Sequence, residues 1–268
     1  MSTLAVPTYV NTLAQHTRVL ARHTGIVMAR ELRPVFADPF SLIFGMVQPL
    51  VFLGLFGPLL AGSLGGSGGG SVWQWFVPSI LVMTALFVTS TTGANLLFEL
   101  QTGAHERTLV APLRRSSLLI GRSLKEMVPL AGQALIIVLV MLPFGFRFNP
   151  LGGLLGVALL VVFGIGLGSL SYALALAVRK QDWMFWVVQQ ALLYPLMILS
   201  GMLLPLSVGP GWMQALAKAN PLTYVVDAER ALFAGQFTSS VGWGWLAAGL
   251  TAVLGLTVGI RAMVRSAE

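Results

Sequence analysis

Charge is the scarcest thing in this chain. Of 268 residues only 9% are Asp, Glu, Lys or Arg, against about 25% in an ordinary soluble domain. So little charge cannot cover a folded surface in water. With 56% hydrophobic residues and a mean hydropathy of +0.83, the chain reads as an integral membrane protein. Cysteine is absent, which excludes disulfides and thiolate metal sites. The glycine-rich run Gly62–Ser71 lacks the closing Gly-Lys-Ser/Thr of a phosphate-binding loop. There is no His-Glu-x-x-His and no Gly-x-Ser-x-Gly. The histidines are His16, His23 and His105. His16 and His23 share a helix face but have no third ligand near them, so no metal is expected. These absences argue against an enzyme. No expected span carries an acid at its middle, which disfavours a carrier driven by its own ion gradient.

Continuous apolar runs are what the chain does have. Six are long enough to cross a bilayer as helices: 40–60, 75–98, 128–146, 151–178, 183–206 and 241–262. A membrane barrel would instead alternate over segments of about ten residues. The first run begins too late and is too long for a cleaved signal peptide.

The connections alternate in charge. Basic residues 18, 22, 30 and 33 precede the first span, and 107, 114, 115, 122 and 125 lie between the second and third. Arg179 and Lys180 separate the fourth and fifth, and Arg261 and Arg265 sit at the C-terminal end. The opposite connections hold only Arg147, Lys218 and Arg230. The positive-inside rule makes the basic side cytoplasmic, with both termini inside. The net charge of +7 then reflects membrane orientation, and nucleic acid is not expected as a partner. Tryptophans 73, 75, 183, 186, 243 and 245 fall at span ends, as interfacial aromatic belts do.

Three segments do not span. Residues 12–33 place Leu13, Leu20, Val27 and Met28 near one helical face with Arg18, Arg22 and Arg33 opposite, which predicts an amphipathic helix at the membrane surface ended by Pro34. Gly62–Ser71 reads as a flexible external linker. Residues 207–237 are too polar to span and too apolar to float free. They predict two short external helices, re-entrant toward the membrane and broken at Asn220-Pro221, with Asp227 and Arg230 spaced to pair. Within the spans the polar residues are uncharged: Gln48, Thr89, Ser90, Thr92, Asn95, Gln189 and Gln190. Two readings stay open for them, hydrogen bonds between helices or the lining of a path for an amphiphilic molecule. In the fourth span Gly152-x3-Gly156 and Gly164-x3-Gly168 allow close helix contact.

Four stretches together resemble the permease subunit of an ABC-2-type exporter, in the branch of the daunorubicin and multidrug-resistance permeases. They are Glu31 to Pro39 leading to Gln48-Pro49; Glu99 to Arg122, with GAHERTLVAPL and Arg115-Ser-x3-Ile-Gly-Arg; LSGMLLPL from Leu199; and Pro210 to Arg230, with NPLTYVVDAER. The resemblance implies an all-α, six-helix membrane domain with the interfacial helix, a cytoplasmic coupling helix at 99–113 and the two external helices. The coupling element would dock on a separate ATPase subunit through Glu99, Gly103, Glu106 and Arg107, with Arg114 and Arg115 anchoring its end at lipid headgroups. Asn220, Pro221, Tyr224, Asp227 and Arg230 would be structural. This chain would hold no cofactor, with ATP and Mg on the partner. Two ATPase copies and a second permease chain, in a homodimer or heterodimer, would complete an exporter of hydrophobic or amphiphilic compounds in the cell membrane. Export of a lipid-linked polysaccharide and a non-transporting anchor or assembly role remain as alternatives. A channel would need a charged ring or filter that the sequence lacks.

Overall fold

The computed structural model describes residues 39–64, 72–102 and 115–265, together with isolated positions at 25, 28, 29 and 32. Among the described residues every regular element is helical. In chain order they are α1 (Pro39–Leu64), α2 (Val72–Gln101), α3 (Arg115–Met141), α4 (Pro150–Ala177), α5 (Asp182–Leu199), α6 (Gly211–Ala219), α7 (Pro221–Phe233) and α8 (Ser239–Arg265), with single 3-10 turns at Leu142–Phe144 and Leu206–Val208. Five of these, α1, α2, α3, α4 and α8, are long and apolar enough to cross a membrane. The segments predicted as an interfacial helix and as the body of the coupling element lie almost entirely outside the described residues.

The bundle is organised around α2. It packs against α1, α3, α4, α5 and α7, and its run from Phe76 to Leu86 is buried on every side. A helix that is apolar all round needs such a central position. On α8 the buried residues are mainly small: Gly244, Ala247, Ala248, Gly255 and Gly259. They bring its backbone onto α4, so that a Cβ placed on Gly255 would lie 2.1 Å from the Gly166 carbonyl oxygen. The outward faces stay oily, with Leu55, Leu59, Leu135, Leu154, Leu250 and Val253 more than half exposed. In water such a surface would aggregate; against lipid or a partner helix it is covered.

Five of the spans differ by more than one residue from those read in the sequence. The first, read as 40–60, runs from Pro39 to Leu64, which takes Gly62 and Ser63 of the expected linker into the helix. The second span, read as 75–98, extends to Val72 and Gln101, so Glu99 belongs to the last turn of α2 and does not open a separate coupling helix. The third, read as 128–146, begins at Arg115 and ends at Met141. Residues 115–127 are polar enough to look like loop, yet Arg122, Ser123 and Glu126 are buried against other helices. The fifth, read as 183–206, stops at Leu199, since the chain turns at Ser200 and Gly201 takes a left-handed φ of +72°. The last, read as 241–262, runs from Ser239 to Arg265. Hydropathy marks only the oily middle of a helix, and the ends follow from packing and from Gly and Pro punctuation.

Candidate functional site

Two polar clusters interrupt the apolar bundle, one at each end of α2. The first joins the facing ends of α2, α3 and α4. Arg122 Nη2 donates to Glu99 Oε2 at 2.5 Å, across the base of the α2–α3 connection. The same guanidinium lies 5.8 Å from the centre of the Tyr172 ring on α4. One turn deeper, Asn95 Nδ2 donates to Glu126 Oε1 at 3.3 Å, with Lys125 Nζ 3.6 Å from the same oxygen. Ser123 and Ser169 hydroxyls meet at 3.4 Å between α3 and α4. Ser171 Oγ donates to the Ser90 carbonyl at 3.1 Å, tying α4 to α2.

This cluster is buried and incompletely satisfied. Among the described residues Arg122 Nε and Nη1, Tyr172 Oη and Thr92 Oγ1 have no hydrogen-bond partner. Burying such groups unpaired costs about 1–3 kcal/mol each, so the cluster is not there for stability alone. Ionisable residues inside a membrane bundle point to function. The sequence reading missed Arg122, Lys125, Glu126 and Tyr172 because it counted the first three as loop. A signal was available. Arg122, Glu126 and Gln133 recur at spacings of four and seven, one face of a helix, and all three are buried.

The second cluster lies at the opposite end of α2, around α7. Asn220 caps that helix: its Oδ1 accepts from Leu222 N at 3.0 Å, and Pro221 takes the first helical position. The Asn220 Nδ2 donates to the Leu196 carbonyl at 2.7 Å, and Thr223 Oγ1 reaches the Leu199 carbonyl. Both are carbonyls that the end of α5 cannot satisfy within its own helix. Tyr224 Oη donates to the Lys218 carbonyl at 2.7 Å, fixing α6 against α7.

Arg230 is the hub of this end. Its Nε donates to the Trp75 carbonyl at 3.1 Å, and Nη2 donates to Ser79 Oγ at 2.8 Å and to the Gly201 carbonyl at 2.9 Å. The guanidinium lies 4.1 Å from the centre of the Trp75 ring and 3.4 Å from Asp227 Oδ1. One side chain thus fastens α7 to the start of α2 and to the turn after α5. Burial lowers the Arg230 pKa to about 10, and burial raises that of Asp227 against the opposing pull of Arg230. The Asp227–Arg230 spacing seen in the sequence therefore makes a pair, but three of the four groups that Arg230 bonds lie outside α7: the Trp75 carbonyl, the Ser79 hydroxyl and the Gly201 carbonyl. Glu229 is completely buried beside Gly156 and Phe233, and neither oxygen has a partner among the described residues. Burial pushes its carboxyl up to about 8.

The remaining candidates are scattered. Gln48 is exposed on α1. Thr89 and Ser90 return their hydroxyls to carbonyls of their own helix. Thr92 packs at Gly168 and Asn95 holds Glu126. Gln189 and Gln190 sit on α5, each with a buried Oε1 that has no partner among the described residues. Gly103, Glu106, Arg107 and Arg114 lie outside the described residues, as does the side chain of Arg115.

Comparison with known proteins agrees with this architecture. Residues 22–234 match the model of the ABC-2 type transporter family. Over 201 residues, 74% of this chain and 70% of the relative, the chain is 29% identical to the daunorubicin resistance ABC transporter permease protein DrrB1 of Streptomyces coeruleorubidus. It is 32% identical over 210 residues to the putative transport permease ycf38 of Cyanophora paradoxa, covering 76% of this chain and 72% of that one. A probable multidrug ABC transporter permease of Escherichia coli K12, YbhR, is 24% identical over 177 residues, 65% of this chain and 48% of its own length. A bundle of helices long enough to span a membrane, with ionisable residues buried at the α2–α3 connection, and a family match across most of its length make this chain a multi-pass membrane protein that belongs to the ABC-2 type transporter family.

Proposed function

We propose that this chain is the membrane half of an ATP-driven exporter, with ATP bound and hydrolysed, with Mg, on a separate ATPase subunit. Two permease chains and two ATPase chains make the working unit. The observation that carries the reading is the Glu99–Arg122 ion pair, which braces both ends of the segment 103–114. A force applied to that segment by a docked ATPase reaches α2 and α3 together. Because α2 packs on five other helices, its displacement would shift the whole bundle as a rigid-body motion.

In this reading α5 is the sixth span, the termini are cytoplasmic, and α6 and α7 form the external re-entrant pair. Gln48 contributes polar surface to the translocation path beside the oily faces of α1 and α5, and the buried Oε1 atoms of Gln189 and Gln190 would meet the cargo only when the bundle opens. The cargo class is a hydrophobic or amphiphilic compound. The daunorubicin-resistance and multidrug names of two relatives favour this class over a lipid-linked glycan.

The test is co-expression with a candidate ABC ATPase subunit, purification of the complex, and measurement of ATP hydrolysis with transport in vesicles. Glu106→Ala with Arg107→Ala is expected to leave membrane insertion intact and to abolish transport. Unchanged transport removes those residues from the coupling role. Labelling of a cysteine placed at 107 by an impermeant reagent in intact cells reverses the orientation and removes the whole reading.

A further inference from the structure

Two cavities flank the wall formed by the 3-10 turn Leu206–Val208 and α6, and Leu206 lines both. One, of about 410 Å³, is apolar: Leu60 near the end of α1, Ile198 on α5, and Leu204, Val208 and Met213 line it. The other, of about 320 Å³, is polar, and Ser207, Gln214, Lys218, Tyr224 and Asp227 line it. The wall is held in place, since Gln214 Nε2 donates to the Gly209 carbonyl at 3.1 Å and Gly209 N donates to the Leu206 carbonyl at 3.0 Å. Lys218 and Asp227 are both exposed. Asp227 meets Arg230 through Oδ1 at 3.4 Å, and among the described residues Lys218 has no ion pair. Residues 65–71, which follow α1 and lie outside the described residues, are glycine and serine only and bring no charge to this end. Trp212 on α6 and Trp243 on α8 are exposed here, the latter with its ring 6.4 Å from that of Tyr224. Exposed tryptophans of this kind mark a headgroup layer.

We infer that the two cavities together seat one zwitterionic phospholipid, with its phosphate at Lys218, its primary ammonium at Asp227 and one acyl chain in the apolar cavity. One cation and one acid lining the same cavity favour a headgroup that carries both signs. A purely anionic headgroup would be repelled by Asp227, and a purely cationic one by Lys218. A primary ammonium donates hydrogen bonds to the carboxylate, which the quaternary ammonium of choline cannot do. Ethanolamine is therefore the favoured headgroup. The second cavity selects a lipid over a soluble zwitterion, which would gain nothing from Ile198, Leu204 or Met213. An occupant would touch α1, α5, α6 and α7 at once, and so hold the wall between the cavities against the bundle. The inference rests on the two cavities and on this end meeting a headgroup layer; it needs neither the ATPase partner nor the cargo class.

The experiment uses the full chain purified in mild detergent and placed in nanodiscs of phosphatidylcholine with small equal fractions of phosphatidylethanolamine and phosphatidylglycerol. Lipid retained on the protein is read by native mass spectrometry, and affinity by titration of a fluorescent phosphatidylethanolamine. The chain is expected to retain one phosphatidylethanolamine in preference to the other two lipids. Lys218→Gln removes the phosphate contact without touching the bonds of Arg230, and it should weaken binding roughly fivefold. Asp227→Asn should abolish the preference for phosphatidylethanolamine over phosphatidylglycerol. Leu204→Asn with Val208→Asn changes two exposed positions and keeps both charges, and it should lose the lipid through the apolar cavity. Equal retention of phosphatidylethanolamine and phosphatidylglycerol by the parent chain would reduce the effect to an ordinary lipid shell and overturn the site. Unchanged binding in Lys218→Gln would overturn the headgroup assignment, and unchanged binding in the Leu204 and Val208 variant the seat of the chain. Displacement of the lipid by millimolar phosphoethanolamine would make it a site for a soluble zwitterion and overturn the lipid assignment.

Discussion

Removal of the Glu99–Arg122 pair should uncouple the ends of α2 and α3. The guanidinium of Arg122 is only 6% exposed and the Glu99 carboxylate 22%. Breaking a buried pair by deleting one partner costs about 3–5 kcal/mol, since the survivor is left as an uncompensated charge. Partial exposure of Glu99 lets water recover some of that cost, so about 3 kcal/mol is expected for Glu99→Ala. Arg122→Ala loses the same pair, the packing of its stem and about 0.5–1 kcal/mol from the Tyr172 ring. Glu99 makes a further interaction, so neither single variant isolates the pair. A double-mutant cycle does, and contacting charged residues give coupling energies of about 0.5–3 kcal/mol. The upper half of that range is expected, with the double variant less damaged than the sum of the singles. The assay is equilibrium unfolding of the purified chain in mixed micelles with rising SDS, monitored by tryptophan fluorescence. A coupling energy under about 0.5 kcal/mol would refute the argument, because the two charges would then be independent and could not brace the connection.

Two other outcomes can be checked in the same preparation. Glu229 is protonated in the folded chain up to about pH 8 and ionises near pH 4.5 when unfolded; its stabilising contribution is therefore whole below pH 4.5 and is lost as pH rises to about 8. At about 1.4 kcal/mol per pH unit the loss is on the order of 5 kcal/mol; Glu229→Gln should flatten the profile between pH 5 and 8 and be the more stable chain at pH 9, and parallel profiles would show that Glu229 is not buried uncharged. At the α4–α8 contact, Gly255→Ala places a Cβ 2.1 Å from the Gly166 carbonyl oxygen and should cost about 1–3 kcal/mol. Gly249→Ala on the same helix meets nothing within 4 Å and should be neutral or stabilising by about 0.5–1 kcal/mol. Equal melting temperatures for the two variants would contradict the close approach.

Much of the architecture was legible in residue order. The middles of α1, α2, α3, α4 and α8 stand out because a lipid-exposed or fully packed helix must be apolar along its length. The break at Asn220-Pro221 is equally local, since Asn caps and Pro opens a helix without tertiary help. The candidate residues fared differently. Asp227 and Arg230 could be paired from spacing alone, yet the bonds of Arg230 to Trp75, Ser79 and Gly201 join residues 29 to 155 positions away. No local pattern encodes those. Arg122 and Glu126 looked like loop charges because hydropathy averages over neighbours and cannot tell a wet charge from a buried one held by a partner.

The sequence by itself determined that the chain lives in a membrane and where its helices have their oily centres, because transfer from water depends on composition summed over a segment. It also determined the main helix breaks, since Pro, Gly and Asn act on their own backbone. Only the tertiary structure decided which charges are enclosed, that Glu99 meets Arg122, that Glu229 is buried against Gly156, and that Arg179, Lys180 and Arg265 share one crevice. Each of those depends on how helices distant in sequence rotate and approach, and that is set by small residues at contact points and by the partners a buried polar group can find.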